Sequence, residues 1–132
     1  MKLTVAPALP PLSRVKPATR EPLRVGLVQT KWHPDAAEHE DDLRAGIKLA
    51  AEAGAKIVFL QELTLSRYPA DVRPAGVPNA TAEQLDSGPT AEFARRAAQD
   101  FGVHVHASLF EYEDLADGRG WNTAIIVDPA GR

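Results

Sequence analysis

The chain has 132 residues, of which 44% are hydrophobic and 25% charged, and a formal net charge of -3. This is the composition of one folded domain with a real core, and it offers no basic surface for nucleic acid. There is no cysteine, which excludes a disulfide framework, a cysteine zinc site and a cysteine nucleophile within these residues.

Residues 1–22 hold Pro7, Pro10, Pro11, Pro17 and Pro22. Proline removes backbone donors and restricts its neighbour, so this segment reads as an extended or disordered arm. Its "LTVAPAL" is too short and too broken for a signal-peptide core. No apolar run reaches the length of a membrane span, so a cytoplasmic location is expected.

"LRVGLVQT", Leu23 to Thr30, is mostly apolar and reads as a central strand covered on both faces. The next stretch carries Asp35, Glu38, Glu40, Asp41 and Asp42 near its start, where a helix dipole favours acids. Leu43, Ile47 and Ala50 then share one helical face, and Gly54 is a stop. Lys56 to Leu60 reads as a second strand. Residues 69–89, with four prolines and two glycines, read as a long loop, and long loops are often functional.

Thr90 to Phe101 reads as a helix burying Phe93, Ala94, Ala97 and Phe101. Val103 to Phe110 is a third strand, "EYEDLADGRG" a polar turn, and Trp121 to Asp128 a fourth strand. The order favours parallel neighbours among the first three strands and a hairpin for the last two, hence a mixed α/β sheet. The closing "DPAGR" is a turn with no returning strand, so the sequence reads as cut at Arg132. Residues 23–132 would then be a partial domain, truncated at its C-terminal end.

Glu62 lies two residues beyond the second strand. Ligands of open α/β sheets bind at the carboxyl ends of strands. Flanked by Leu60, Leu63 and Leu65, this carboxylate is expected to be partly desolvated and so a better general base near neutral pH. The alternative is a capping or ion-pairing glutamate. His104 and His106 point to one face of a strand; without an Asp or Cys at ligand spacing, packing histidines are favoured over a metal pair. His33 and His39 are expected to face solvent. Asn122 reads as a plain strand-entry residue; the alternative is that it orients a neighbouring loop by hydrogen bonding to its backbone. Trp121 and Tyr112 read as packing residues. Glu111, closing "SLFE", reads as structural, holding the adjacent loop through backbone hydrogen bonds.

Four blocks in order, "VGLVQT", "GAKIVFLQELTLSRY", "SGPTAEFARRAAQDFGVHVHASLFE" and "WNTAIIVDPAGR", resemble the N-terminal half of the nitrilase superfamily of carbon–nitrogen hydrolases. Within it they look closest to the N-carbamoyl-amine and aliphatic amidase-like branch. The resemblance covers Leu23 to Arg132.

It implies the N-terminal half of a four-layer α-β-β-α sandwich and a Glu–Lys–Cys mechanism on an amide, nitrile or N-carbamoyl substrate. It also implies no metal or organic cofactor, and a homodimer or larger assembly. The general base matches Glu62 in "ELTLSRY", and the pocket-shaping aromatic matches Tyr68. The family lysine follows the "DPAGR" turn and the cysteine lies further on. The last lysine here is Lys56, ahead of the glutamate, so these residues carry one member of three. The competing expectation is a non-catalytic truncated α/β module that associates with a homologue through its sheet.

Overall fold

The structure, a computed structural model, describes residues 1–7, 16, 19–68, 81–116 and 119–132. Most of the expected loop (residues 69–80) and much of the proline-rich segment (8–15 and 17–18) lie outside the described residues. So do residues 117 and 118 of the polar turn.

Among the described residues six elements follow in the expected order: β1 (Val25–Leu27), α1 (Ala36–Glu52), β2 (Ile57–Phe59), α2 (Pro89–Phe101), β3 (His104–Glu111) and β4 (Trp121–Val127). The sheet order is β1-β2-β3-β4. β1–β2 and β2–β3 are parallel and β3–β4 is antiparallel, so the sheet is mixed. Each parallel pair needs a crossover; α1 supplies the first and α2 lies in the second.

Local chemistry sets the helix ends. Asp35 is the N-cap of α1 and accepts the Glu38 N–H at 3.0 Å, satisfying one of the orphan donors of the first turn. α2 begins at Pro89, one residue earlier than expected, because a proline at the first helical position gives up no needed hydrogen bond. Its N-cap is Gly88, which has no side chain to offer. Glu83 fills that role from outside the helix, accepting the Thr90 N–H at 2.8 Å and the Thr90 hydroxyl at 2.9 Å. Gly102 ends α2 at φ 64°, a left-handed conformation that favours glycine.

Both helices cover one face of the sheet. Leu43 and Ile47 of α1 and Phe93, Ala94 and Ala97 of α2 form a single core with Val58, Val105, Ala107 and Val127. Arg44–Asp100 at 2.7 Å and Arg96–Glu40 at 3.3 Å join the two helices across their outer surface. Phe101 is only half-buried, under the Arg44 guanidinium.

Among the described residues no helix covers the other face of the sheet, and this corrects the reading of the first strand. β1 is not a central strand covered on both faces. It lies at one end of the described sheet, and Leu27 is 79% exposed. In register across the sheet, Leu27, Phe59, His106 and Ile126 form a row on this open face, apolar but for the His106 imidazole. Val58, Val105 and Val127 form the equivalent row under the helices.

Gly26 of β1 packs closely against α1. A Cβ there would stand 2.7 Å from the Ala50 Cβ and 3.3 Å from a Val58 methyl. Neither neighbour is a flexible side-chain end, so the helix itself would have to move. Gly26→Ala is expected to destabilise the domain by about 1–3 kcal/mol, as overpacking generally does. Denaturant titration checks this, and parent stability would contradict the close approach.

The "DPAGR" segment closes on Asp128. Its Oδ1 accepts the Ala130 N–H at 2.9 Å and the Arg132 N–H at 3.0 Å, and its Oδ2 meets the Arg132 guanidinium. The Arg132 N–H above all, with the Ala130 N–H and the guanidinium, holds the Asp128 carboxyl below the usual carboxylate range.

Candidate active site

Residues 61–66 leave β2 at its carboxyl end and are stitched down at two points. Against β3, the Thr64 N–H donates to the Ser108 carbonyl at 2.8 Å and the Ser108 N–H donates to Thr64 Oγ1 at 3.0 Å. Thr64 Oγ1 in turn donates to the Gln61 carbonyl at 3.0 Å. Against α1, Nε2 of His39 lies 2.9 Å from the Thr64 carbonyl. That oxygen has no proton, so Nε2 carries the hydrogen and donates.

Leu63 has φ 51°, the only positive φ at a non-glycine among the described residues. Such a conformation costs on the order of 1 kcal/mol or more and persists where surrounding bonds over-determine it. Here those bonds include the Leu63 N–H to Ser108 Oγ at 3.2 Å. The loop that carries Glu62 is thus rigidly placed on both sides.

The Glu62 carboxylate lies on the open face and takes a hydrogen bond from Asn122 Nδ2 to Oε1 at 2.5 Å. Asn122 Oδ1 accepts from Ser108 Oγ at 3.3 Å. Asn122 therefore bonds a carboxylate and not a loop backbone, which corrects the reading of it as a simple strand-entry residue. The flanking leucines do not dry the acid. Leu60 belongs to the core and Leu65 packs against it, while Glu62 itself is exposed. The chemical capacity of this arrangement is an oriented carboxylate at a strand end, with one oxygen engaged. Among the described residues the other oxygen, Oε2, takes no hydrogen bond.

The remaining candidates fall elsewhere. Tyr68 is 48% exposed at the last described position before residue 69. Glu111 is bridged through the backbone to Glu83 in the loop before α2, and its side chain also holds β4, Oε2 accepting from the Thr123 hydroxyl at 2.6 Å. Glu111 and Glu62 lie on opposite faces of the sheet, because 111 shares its face with the buried 105, 107 and 109.

His104 is exposed and bonds back to the Lys56 carbonyl, and His106 stacks on Phe59 with ring centroids 5.1 Å apart. Among the described residues no group of three His, Cys, Asp or Glu side chains is placed to hold a metal ion. His33 is half-buried, 3.0 Å from Asp42. His39 is not solvent-facing but 2% exposed. Its place was visible in the spacing, since His39, Leu43 and Ile47 follow one another every four residues down the buried stripe. Ser108 gave no such signal beyond sharing a strand face with His104 and His106.

The carbon-nitrogen hydrolase sequence profile matches residues 24–132. A hydrolase of Mycobacterium tuberculosis is 34% identical over 108 residues, covering 81% of this chain and 35% of that protein. A Schizosaccharomyces pombe hydrolase is 27% identical over 121 residues, covering 91% of this chain and 35% of that protein. The chain thus spans about a third of the length of these relatives.

Among solved structures, a carbon-nitrogen hydrolase from Helicobacter pylori superposes with a TM-score of 0.70 at 22% identity, covering 83% of this chain and 37% of that one. An amidase mutant from Nesterenkonia sp. AN1, whose active-site cysteine carries a Michael adduct of acrylamide, superposes with a TM-score of 0.61 at 26% identity, covering 83% and 41%. The described helix layer and mixed sheet are the N-terminal half of that α-β-β-α sandwich. With a family match over 24–132 and the shared fold, the chain belongs to the carbon-nitrogen hydrolase family.

Proposed function

We propose that this segment supplies the general-base glutamate of a hydrolase that cleaves a nonpeptide carbon–nitrogen bond in a small amide, nitrile or N-carbamoyl substrate. The observation that carries the reading is Glu62, held at the carboxyl end of β2 on the open face by Asn122. The acrylamide adduct on the Nesterenkonia amidase's active-site cysteine supports a thiol nucleophile in this family.

In this reading Glu62 takes the proton of a cysteine thiol, and the thiolate attacks the carbon of the substrate. For an amide or N-carbamoyl group the tetrahedral adduct collapses to a thioester-type intermediate and the amine leaves, taking a proton. Glu62 then accepts a proton from water, whose oxygen attacks the thioester and restores the thiol. A lysine stabilises the oxyanion at each addition. The 132 residues hold no cysteine, and no lysine after Lys56. The second and third catalytic groups therefore come from chain other than these residues. Tyr68, by its match to the family block, is assigned to the wall of the substrate pocket. The assembly is proposed to be a homo-oligomer in the cytoplasm, and no helix among the described residues is long and apolar enough to cross a membrane.

The exposed apolar face also fits a second reading, a non-catalytic module that docks on a homologue. Ammonia release from a panel of amides, nitriles and N-carbamoyl amines separates the two. The 132-residue chain is expected to stay at the blank level, because covalent catalysis of this type cannot start without its thiol. A complete enzyme containing the segment is expected to turn over at least one class. Failure on all three classes by a folded complete enzyme would favour the docking module.

A further inference from the structure

We propose that Asn122 is a positioning residue for Glu62, with Ser108 setting the orientation of its amide. The inference rests on the reading of Glu62 as general base, and adds the device that aims it.

Four groups form a directed chain. The Leu63 N–H donates to Ser108 Oγ at 3.2 Å, so a lone pair of that hydroxyl is used and its proton is free to be given away. The nearby acceptor is Asn122 Oδ1 at 3.3 Å. With Oδ1 engaged there, the Asn122 amide is fixed with its NH2 toward Glu62, and Nδ2 donates to Oε1 at 2.5 Å. The flipped amide would set its oxygen against a carboxylate, which accepts only, and would leave the Ser108 proton without an acceptor.

The chain begins and ends on the same loop. Leu63, the residue after the acid, fixes the serine that fixes the asparagine that fixes the acid. Ser108 is 5% exposed and locked a second time through its backbone to Thr64. An exposed glutamate on three rotatable bonds would otherwise sample many rotamers. Here one oxygen is pinned, and Oε2 is left to meet the thiol and later the water. Misplacement of a reacting group by about 1 Å can cost roughly a hundredfold in rate, which sets the scale of the expected effect.

The test is a double-mutant cycle in a complete enzyme containing this segment, with Asn122→Asp, Glu62→Gln and both together. Asn122→Asp keeps shape but replaces the donor by a second carboxylate, so the uncharged Asn122→Leu is made beside it and is expected to give the same pattern. Asn122→Asp is expected to lower kcat by about a hundredfold with KM changed by only a few-fold. In the Glu62→Gln background the same substitution is expected to cost little more, because a residue acting through Glu62 has nothing left to position. Ser108→Ala is expected to give a smaller loss of kcat with the same non-additivity, which keeps the idea testable if Asn122→Asp misfolds. An equal cost of Asn122→Asp in both backgrounds, or parent kcat in Asn122→Asp while Glu62→Gln is impaired, would overturn the positioning role alone. Parent turnover in Glu62→Gln would overturn the general-base reading beneath it.

Discussion

Glu62→Gln, made in a complete enzyme carrying this segment, is expected to lower turnover by about two to four orders of magnitude, the usual cost of losing a general base. Glutamine keeps the size of the side chain and an oxygen that can accept from Asn122 Nδ2, so the bond to β4 can survive. What it loses is the ability to take the thiol proton. Substrate binding is expected to change far less, since the acid works on the nucleophile and the water. The melting temperature is also expected to hold, because Glu62 is exposed and lies outside the core.

Glu111→Gln is the matched control: another acid, eight residues along β3, on the helix-covered side. Its carboxylate accepts the Thr123 hydroxyl at 2.6 Å and so ties β3 to β4. Weakening that bond is expected to lower stability by about 1 kcal/mol with turnover near the parent's. Turnover and melting curves of both variants beside the parent decide the matter. Near-parent turnover in Glu62→Gln would remove the general base from this strand end.

How far the sequence reached follows from what periodicity can carry. The buried faces of α1 and α2 were legible because polar residues mark their other sides: Leu43, Ile47, Phe93, Ala94 and Ala97 all lie where a 3.6-residue period puts them. The acidic start of α1 and its stop at Gly54, which has φ 91°, were legible as local chemistry. The sheet's two faces were not. Alternation reveals a face only when its opposite is polar, and the open face carries Val25, Leu27, Ile57 and Phe59. Val25 to Leu27 therefore looked covered on both sides.

Glu62 could be placed at a strand end by local reading, yet its environment could not. The dry setting expected from three neighbouring leucines did not form, because Leu60 and Leu65 face the core. The group that does meet the acid, Asn122, is 60 residues away in sequence and was brought there by strand pairing. Glu83 capping α2 from outside the helix is the same kind of fact, set by the path of a loop and not by any spacing.

The open face has its own consequence for the isolated 132-residue chain, which is expected to self-associate. Leu27 is 79% exposed and Ile126 56%, with Phe59 between them in the same row and Val25 exposed in the next. Burying a leucine or isoleucine side chain fully is worth about 1.5–3 kcal/mol, so even a few of these positions closing on another surface make association favourable. β1 adds an edge with unpaired backbone groups among the described strands. Charge on the row should oppose association without touching the core, because Leu27 and Ile126 contribute nothing to the packing under the helices. Leu27→Lys with Ile126→Lys is therefore expected to shift the chain toward monomer while keeping the parent melting temperature. Sedimentation velocity across a concentration series reads the first effect and thermal unfolding the second. A parent chain that sediments as a clean monomer at all concentrations, with a sharp cooperative melt, would show that the apolar row does not drive contact. A double variant that associates as strongly as the parent would move the contact to another surface.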